Sequence, residues 1–152
     1  MLLDHVLYQA QVTATGGRDG RAVSSDGVLE VQLTTPHALG GAGGRGTNPE
    51  QLFAAAYAAS FLRAMQYVAA RDTLAIPPES WVEGTVGIGA IPQGFGLEVE
   101  LRMALPGLSD RAAEALVNTA HEVCPYANAT RGNIAVRLVF VSSHVELQRG
   151  LR

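Results

Sequence analysis

The sequence predicts a single α+β domain over residues 1–141, followed by a polar tail over residues 142–152. Several stretches alternate apolar and polar residues, which is typical of half-buried strands, and two longer segments repeat apolar residues every three or four positions, which is typical of helices. Their order is β-β-β-α-β-β-α-β, with the strands in runs and few helices, which favours mostly antiparallel sheets packed on helices. A length of 152 residues is about that of one domain.

The N-terminal third is predicted to form an antiparallel meander of three strands. Residues 6–15 alternate in polarity and predict the first strand. A glycine-rich turn over residues 16–20 leads into a second strand over residues 21–25, because glycine adopts the positive φ angles that tight turns need. Residues 25–27 form another turn, and residues 28–33 predict the third strand.

The first helix has clear start signals. Asn48 or Thr47 is suited to cap it, Pro49 suits the first helical position, and Glu50 complements the positive end of the helix dipole. The helix is expected to end near Asp72. One apolar stripe runs along it, comprising Leu52, Phe53, Ala56, Tyr57, Ser60, Phe61, Ala64 and Met65.

The second half predicts a hairpin, a helix and a last strand. Residues 81–90 and 97–105 form the two strands of the hairpin. Ser109 is expected to cap the second helix, which ends around Cys124 because Pro125 cannot continue its hydrogen bonding. Residues 134–140 alternate in polarity and predict the final strand.

Composition narrows the class of function. Hydrophobic residues make up 47% and charged residues 16% of the chain, which fits a globular protein, and the net charge of −3 gives no basic surface for nucleic acid. No apolar run approaches the roughly 20 residues of a membrane span, and no signal-peptide pattern opens the chain. The lone cysteine cannot form an intrachain disulfide. A cytoplasmic protein without nucleic-acid or membrane partners is therefore expected.

Two further features of the sequence do not predict a ligand-binding site. The glycine-rich loop over residues 40–46 has the composition of a phosphate cradle, but no Gly-Lys-Ser/Thr follows it, so a flexible loop is favoured. The four histidines show no metal-ligand spacing, so no metal site is expected.

Two segments carry the chemistry. Residues 46–61 read Gly-Thr-Asn-Pro-Glu-Gln-Leu-Phe-Ala-Ala-Ala-Tyr-Ala-Ala-Ser-Phe, and residues 121–133 read His-Glu-Val-Cys-Pro-Tyr-Ala-Asn-Ala-Thr-Arg-Gly-Asn. They resemble two motifs of the organic hydroperoxide resistance proteins, in the wider OsmC/Ohr family. Residues 14–21 and 24–27 resemble the same family, and the resemblance covers roughly residues 8–140.

The resemblance implies a fold and an activity. It implies two central helices flanked by sheets, with two chains interwoven as a homodimer. The activity would be thiol-dependent reduction of alkyl or fatty-acid hydroperoxides to alcohols. Electrons would come from an external dithiol, typically a lipoyl group carried by another protein, and no bound metal, haem or flavin is implied.

The resemblance also implies roles for four positions. Position 60 carries the peroxide-attacking cysteine in the family, and Cys124 corresponds to the resolving thiol. Arg18 would favour the thiolate and orient the peroxide, while Glu50 would hold the guanidinium in a bidentate pair.

Ser60 departs from this pattern. A serine hydroxyl stays protonated near neutral pH and cannot become a sulfenic acid. The chain is therefore predicted to fold, dimerise and keep its pocket, but not to turn over peroxide. The serine could have two origins that give the same sequence: an engineered Cys-to-Ser substitution or a natural pseudoenzyme. The other motif residues are retained, which favours the engineered substitution. The alternative function is a non-catalytic protein that binds hydroperoxides or lipids. Ala56, where the family usually has glycine, is a milder departure.

Helix arithmetic adds an expectation about assembly. Glu50 and Ser60 lie about 15 Å apart along one helix and point about 80° apart around its axis. An arginine bound to Glu50 can therefore hardly touch position 60 of its own chain. We expect Arg18 and Glu50 to serve the Ser60–Cys124 pair of a partner chain across a two-fold axis.

Cys124 and its neighbours allow other interpretations. Its position at a helix C-terminus disfavours a thiolate, which suits a resolving thiol, although a lone cysteine is often only a small buried hydrophobe. His121, one turn earlier, offers a Cys-His nucleophilic pair as an alternative. A group of large side chains fits either the core or a substrate pocket, namely Phe53, Tyr57, Phe61, Met65, Tyr67 and Trp81.

Overall fold

The computed structural model of the protein describes residues 2–141, so the predicted tail over residues 142–152 lies outside the described residues. The chain divides after Leu52 into two compact units, and the predicted boundaries of a single domain stay a prediction. The elements in chain order are β1 (Val12–Thr15), β2 (Arg21–Ser24), β3 (Glu30–Gln32), α1 (Pro49–Arg71), β4 (Trp81–Ile91), β5 (Gly94–Ala104), α2 (Asp110–Val123), α3 (Pro125–Thr130) and β6 (Val136–Phe140), with short 3₁₀ turns at Gly17–Asp19 and His37–Leu39.

The predicted α+β class and the predicted order of strands and long helices are confirmed. Two details differ. The first strand begins at Val12 rather than at residue 6, because its partner β2 ends at Ser24, which pairs with Val12. The short helix α3 was not predicted, because a helix of six residues is too short to show a periodic pattern in the sequence.

The first unit contains the antiparallel sheet β1-β2-β3. Its glycine-rich segment, residues 40–46, is a loop, as the sequence predicts, and hydrogen bonds join its end to the residues that follow β3. The Thr34 side chain donates to the Gly46 carbonyl (3.1 Å), and the backbone of Thr47 bonds to Gln32 and Thr34 (both 2.9 Å). The segment is therefore fastened back onto the end of β3.

Helix α1 starts as the sequence predicts. The Asn48 side chain accepts a hydrogen bond from the backbone N–H of Gln51 (2.9 Å), which identifies Asn48 rather than Thr47 as the cap. Pro49 is the first helical residue, and the helix ends at Arg71, next to the predicted Asp72. Within residues 2–141, no helix has both the length and the apolar character needed to span a bilayer.

The second unit packs helices against a three-stranded sheet. β4 and β5 form an antiparallel hairpin, and β6 joins β5 in parallel after the connection through α2 and α3. Gly84 of β4 lies directly under α1, because a Cβ atom there would come within 2.8 Å of the Ala54 carbonyl oxygen. The core shared by the helices and β5 consists of Tyr57, Phe61, Ala64, Met65, Val68, Ala69, Val99, Leu101, Met103, Leu105, Ala113, Leu116, Val117, Ala120, Cys124 and Ala127.

Candidate functional site

Arg18 and Glu50 form a bidentate ion pair within the first unit. Arg18 Nη1 donates to Glu50 Oε2 at 2.9 Å, and Nη2 donates to Oε1 at 2.6 Å. The hydrogen bonds from Arg18 lower the pKa of the Glu50 carboxyl below its usual value, and the same bonds raise the pKa of the Arg18 guanidinium. The Glu50 side chain is only 14% exposed and that of Arg18 is 35% exposed, so the cation keeps an accessible edge.

A tight turn between β1 and β2 presents Arg18. Gly16 adopts a φ of 74°, which favours glycine. Gly20 packs so closely that a Cβ atom would lie 1.7 Å from the Thr15 carbonyl oxygen. The Asp19 carboxylate then accepts hydrogen bonds from the backbone N–H and the hydroxyl of Thr35 (both 2.8 Å). The position of Arg18 is therefore set by the close packing of Gly16 and Gly20 and by the hydrogen bonds of Asp19.

Ser60 and Cys124 face each other within the second unit. Ser60 Oγ lies 3.8 Å from Cys124 Sγ, although the two residues are 64 positions apart. Cys124 is fully buried, whereas Ser60 is half-buried. The structure thus brings together the two residues for which the resemblance implies redox roles, one half-buried and the other enclosed.

Cys124 lies between two helix ends rather than at one. Its backbone N–H bonds to Ala120 at the end of α2, and its carbonyl accepts from Asn128 in α3 (both 2.9 Å). The prediction from the sequence that Cys124 is a poor thiolate took account only of the partial negative charge at the end of α2. The start of α3 adds a partial positive charge on the other side, so the interpretation from α2 alone is incomplete.

A hydrogen-bond chain fixes the segment that follows Cys124. The buried Tyr57 hydroxyl lies 3.1 Å from Thr130 Oγ1, and the Thr130 hydroxyl donates to the Tyr126 carbonyl (2.9 Å). Burial raises the pKa of the Tyr57 phenol, so it stays protonated and can donate. Arg131 donates to the His121 carbonyl at the end of α2 (2.7 Å). Sequence reasoning did not assign these structural roles within the Cys124 motif.

Aromatic packing supports the same segment from α1. The rings of Phe53, Tyr57 and Tyr126 form a mutually contacting group, with centroids 5.5–6.0 Å apart. Tyr57, Phe61 and Met65 are core residues, which confirms the plainer of their two interpretations. Tyr67 differs from them, because it is 56% exposed.

His121 does not form the alternative Cys-His pair. Its ring lies against Phe61, with centroids 6.5 Å apart. Its Nδ1 atom is buried, and neither Nδ1 nor any other part of the ring bonds to Cys124 within residues 2–141. The histidine therefore packs beside the pair without acting on the thiol.

An open cavity of about 500 Å³ lies beside Ser60. It is lined by Ser60, Arg63, Ala64, Tyr67, Val123 and Pro125. The half-buried Ser60 thus lies at a partly apolar opening. Sequence reasoning did not single out Arg63, although its position one turn after Ser60 places both on one face of α1.

The two residue pairs belong to different units. Arg18 and Glu50 lie in the first, and Ser60 and Cys124 lie in the second. Across residues 2–141, no group of three or more His, Cys, Asp or Glu side chains is arranged to hold a metal ion. The described residues therefore provide two sets of functional groups: a hydroxyl beside a buried thiol, and an Arg-Glu ion pair.

Comparison with known proteins gives consistent matches. Residues 41–139 match the family of OsmC-like proteins. The organic hydroperoxide resistance protein of Xanthomonas axonopodis pv. citri is 62% identical over 135 residues, covering 89% of this chain and 95% of its own length. A crystal structure of an organic hydroperoxide resistance protein from Legionella pneumophila has a TM-score of 0.85 and 45% identity, covering 90% of this chain and 98% of its own.

A second crystal structure is similar to the same degree. It is that of a Vibrio cholerae protein named for organic hydroperoxide resistance, with captopril bound in one of its active sites. The TM-score is 0.85 and the identity 45%, covering 90% of this chain and 94% of the other.

Proposed function

The chain belongs to the OsmC-like family, among relatives named for organic hydroperoxide resistance, and we propose that its architecture is that of a cysteine-based organic hydroperoxide reductase. Position 60 is, in this proposal, the place of the attacking cysteine, and Cys124 is the resolving thiol. The substrates would be alkyl or fatty-acid hydroperoxides, and the products the corresponding alcohols.

The observation that carries the proposal is the 3.8 Å separation of Ser60 Oγ and Cys124 Sγ. With a cysteine at position 60, its thiolate would attack the distal peroxide oxygen, release the alcohol and become a sulfenic acid. The Cys124 thiol would then displace water from that sulfur and form a disulfide, for which a small approach of the two sulfurs suffices. An external dithiol, such as a lipoyl group on a partner protein, would reduce the disulfide.

Arg18 and Glu50 would supply the charge for this reaction. Glu50 holds the guanidinium through two hydrogen bonds, while 35% of the Arg18 side chain stays exposed and able to meet an anion. In a homodimer the pair would serve the Ser60–Cys124 pair of the partner chain, for the reason of helix geometry given above. The Vibrio cholerae structure is described as having more than one active site, which supports an assembly with repeated sites.

With serine at position 60, the chain would bind a hydroperoxide without reducing it, because serine cannot form a thiolate. The cavity beside Ser60 supports the alternative function, a non-catalytic hydroperoxide- or lipid-binding protein, as well as it supports the reductase. We place either function in the cytoplasm.

Ser60→Cys separates the two functions. The variant is mixed with cumene hydroperoxide and dihydrolipoamide, and peroxide consumption is followed. Turnover by Ser60→Cys, with none by the unchanged chain or by Ser60→Ala, supports the reductase architecture. Retained ligand binding without turnover supports the binding protein. Sedimentation of the unchanged chain tests the homodimer, and a monomer at micromolar concentration would contradict the shared site.

A further inference from the structure

Arg18 lies in a turn whose backbone is easily distorted. Gly16 and Gly17 adopt positive φ values of 74° and 59°, and an added Cβ at Gly17 would meet nothing within 4 Å. Glycine restricts the backbone less than any other residue, so an ordered glycine turn costs more conformational entropy than most. The ion pair with Glu50 is partly exposed and contributes only modestly to holding the turn. Arg18 therefore depends on further contacts to stay where Glu50 can bind it.

Residues 33–35 follow β3 and run between the two backbone segments that carry the ion pair. On one side, a backbone N–H of this segment donates to the Gly20 carbonyl, at the end of the turn (2.8 Å). On the other side, a backbone N–H donates to the Thr47 carbonyl, just before α1 begins (2.9 Å). The segment therefore fixes where the backbones of Arg18 and Glu50 lie relative to each other.

The Asp19 side chain joins the turn to the same segment. Its two carboxylate oxygens accept from the backbone N–H and from the hydroxyl of Thr35, each at 2.8 Å. These charge-assisted hydrogen bonds lower the pKa of the Asp19 carboxyl below its usual value. Because Asp19 directly follows Arg18 and ends the 3₁₀ turn, this contact sets the direction in which the arginine side chain leaves the backbone.

Asp19 is also the carboxylate nearest to Arg18 in sequence, so it could compete with Glu50 for the guanidinium. Within the described residues, however, Arg18 donates to Glu50 and not to Asp19. Both oxygens of Asp19 bind Thr35 instead. Thr35 thus keeps the neighbouring carboxylate away from the cation, and the accessible edge of the guanidinium stays available to an anion.

We propose that Asp19 and Thr35 are positioning residues: their paired hydrogen bonds hold the Arg18 guanidinium on Glu50 and keep the Asp19 carboxylate from neutralising it. The holding of Arg18 is a property of the chain whatever residue occupies position 60. Its value for the reaction rests on the proposed function, in which Arg18 favours the thiolate and orients the peroxide. Neither positioning residue touches the peroxide, and the loss of either acts through Arg18.

The first test measures the pKa of Glu50 by carbon-13 NMR of its carboxyl group in the unchanged chain and in three variants. This pKa lies below 4.5 because Arg18 donates to the carboxylate. Asp19→Ala should raise it toward 4.5, since the released arginine spends less time on Glu50. Thr35→Val should raise it less, because the backbone N–H still binds Asp19. Thr35→Ser keeps both donors and should leave the pKa unchanged.

Asp26→Ala is the matched control. Asp26 accepts from the Ser24 hydroxyl (2.5 Å) and from the backbone N–H of Val28 (3.0 Å), in the turn at the opposite end of β2. The control loses a similar pair of hydrogen bonds and should leave the pKa of Glu50 unchanged, even if it lowers stability as much. An unchanged pKa in Asp19→Ala, or an equal shift in Asp19→Ala and Asp26→Ala, would overturn the proposal.

Turnover of cumene hydroperoxide by Ser60→Cys tests the consequence for the reaction. Adding Asp19→Ala should lower kcat/KM at pH 7 by about fivefold or more, the usual effect of losing one or two hydrogen bonds. It should also move the acid limb of the pH profile to higher pH, because the thiolate loses a fixed cation. Adding Asp26→Ala should change neither quantity.

The two measurements separate this proposal from the proposed function. If Ser60→Cys is inactive while the pKa of Glu50 responds to Asp19→Ala, the reductase fails and the positioning role stands. If Ser60→Cys is active and neither its pH profile nor the pKa of Glu50 responds to Asp19→Ala, the reductase stands and the positioning role fails. Circular dichroism of each variant verifies that the chain remains folded.

Discussion

Ser60 Oγ and Cys124 Sγ are 3.8 Å apart, with Ser60 half-buried at the edge of an open cavity and Cys124 fully buried. This arrangement predicts an order of events for a chain carrying Ser60→Cys. Peroxide meets the residue at position 60 first, and Cys124 acts only on the oxidised product. Adding Cys124→Ser to Ser60→Cys should therefore stop the reaction at a sulfenic acid that a dimedone probe traps.

The single and double variants act as controls for each other. Ser60→Cys alone should lose both free thiols after one equivalent of cumene hydroperoxide, as counted with a thiol reagent after unfolding. The unchanged chain should keep its one thiol under the same conditions, because Cys124 is enclosed. Rapid oxidation of Cys124 in the unchanged chain would contradict the predicted order.

Glu50 is expected to make folding stability depend on pH. Its pKa lies below the usual 4.5 because Arg18 donates to the carboxylate in the folded state. A lowered pKa contributes stability above 4.5, and this contribution is lost as the pH falls through the folded-state value. Glu50→Gln should therefore lower the free energy of unfolding by about 0.5–1 kcal/mol at pH 7, a modest value because Arg18 is partly exposed.

Urea unfolding from pH 7 down to acid measures this effect. The difference between the unchanged chain and Glu50→Gln should shrink below pH 4.5 and disappear once the folded carboxyl is protonated. Glu114→Gln is the control, because Glu114 is exposed on α2 and has no ion pair in the described residues. A difference that stays constant with pH would show that the ion pair is not its source.

The Tyr57–Thr130 contact predicts an asymmetric pair of variants. Thr130→Val leaves the buried Tyr57 hydroxyl without its acceptor and should cost about 1–3 kcal/mol of unfolding free energy. Tyr57→Phe should cost less, because the Thr130 hydroxyl keeps the Tyr126 carbonyl as its acceptor. The double variant should be no less stable than Thr130→Val, and strictly additive costs in chemical unfolding would argue against the contact.

Gly20 is predicted to tolerate no side chain. A Cβ atom at this position would lie 1.7 Å from the Thr15 carbonyl oxygen, so Gly20→Ala must displace the turn that presents Arg18. We expect a loss of roughly 1–3 kcal/mol or more. Gly89→Ala is the matched control, since an added Cβ there meets nothing within 4 Å and the backbone is an ordinary strand. Thermal melts that rank the two variants equally would refute the prediction.

Local rules predicted the helix start well and the first strand poorly. Asn48, Pro49 and Glu50 sit where capping and dipole preferences place them, because those preferences act over a single turn. The start of β1 depends instead on where its partner β2 ends, at Ser24, which alternation within β1 cannot reveal. The pattern over residues 6–11 was thus misleading.

In the candidate site, too, contacts between residues distant in sequence were harder to predict than local structure. The family resemblance pointed to Ser60 and Cys124 as residues that work together, but no spacing rule over 64 positions predicts their distance. The role of Thr130 as the acceptor for Tyr57 could not be predicted either, because it requires α1 and α3 to meet. The same holds for the surroundings of Arg63, which include Val123 at the end of α2 and Pro125 at the start of α3.

The parallel pairing of β5 with β6 has a consequence for how the chain matures. β5 ends at Ala104 and β6 begins at Val136, so the crossover that carries Cys124 is closed only when the last strand has docked. During synthesis, the segment of α1 that contains Ser60 is made well before β6. We expect the thiol to reach its position opposite Ser60 only in a finished chain, which would leave truncated products of translation without an assembled centre.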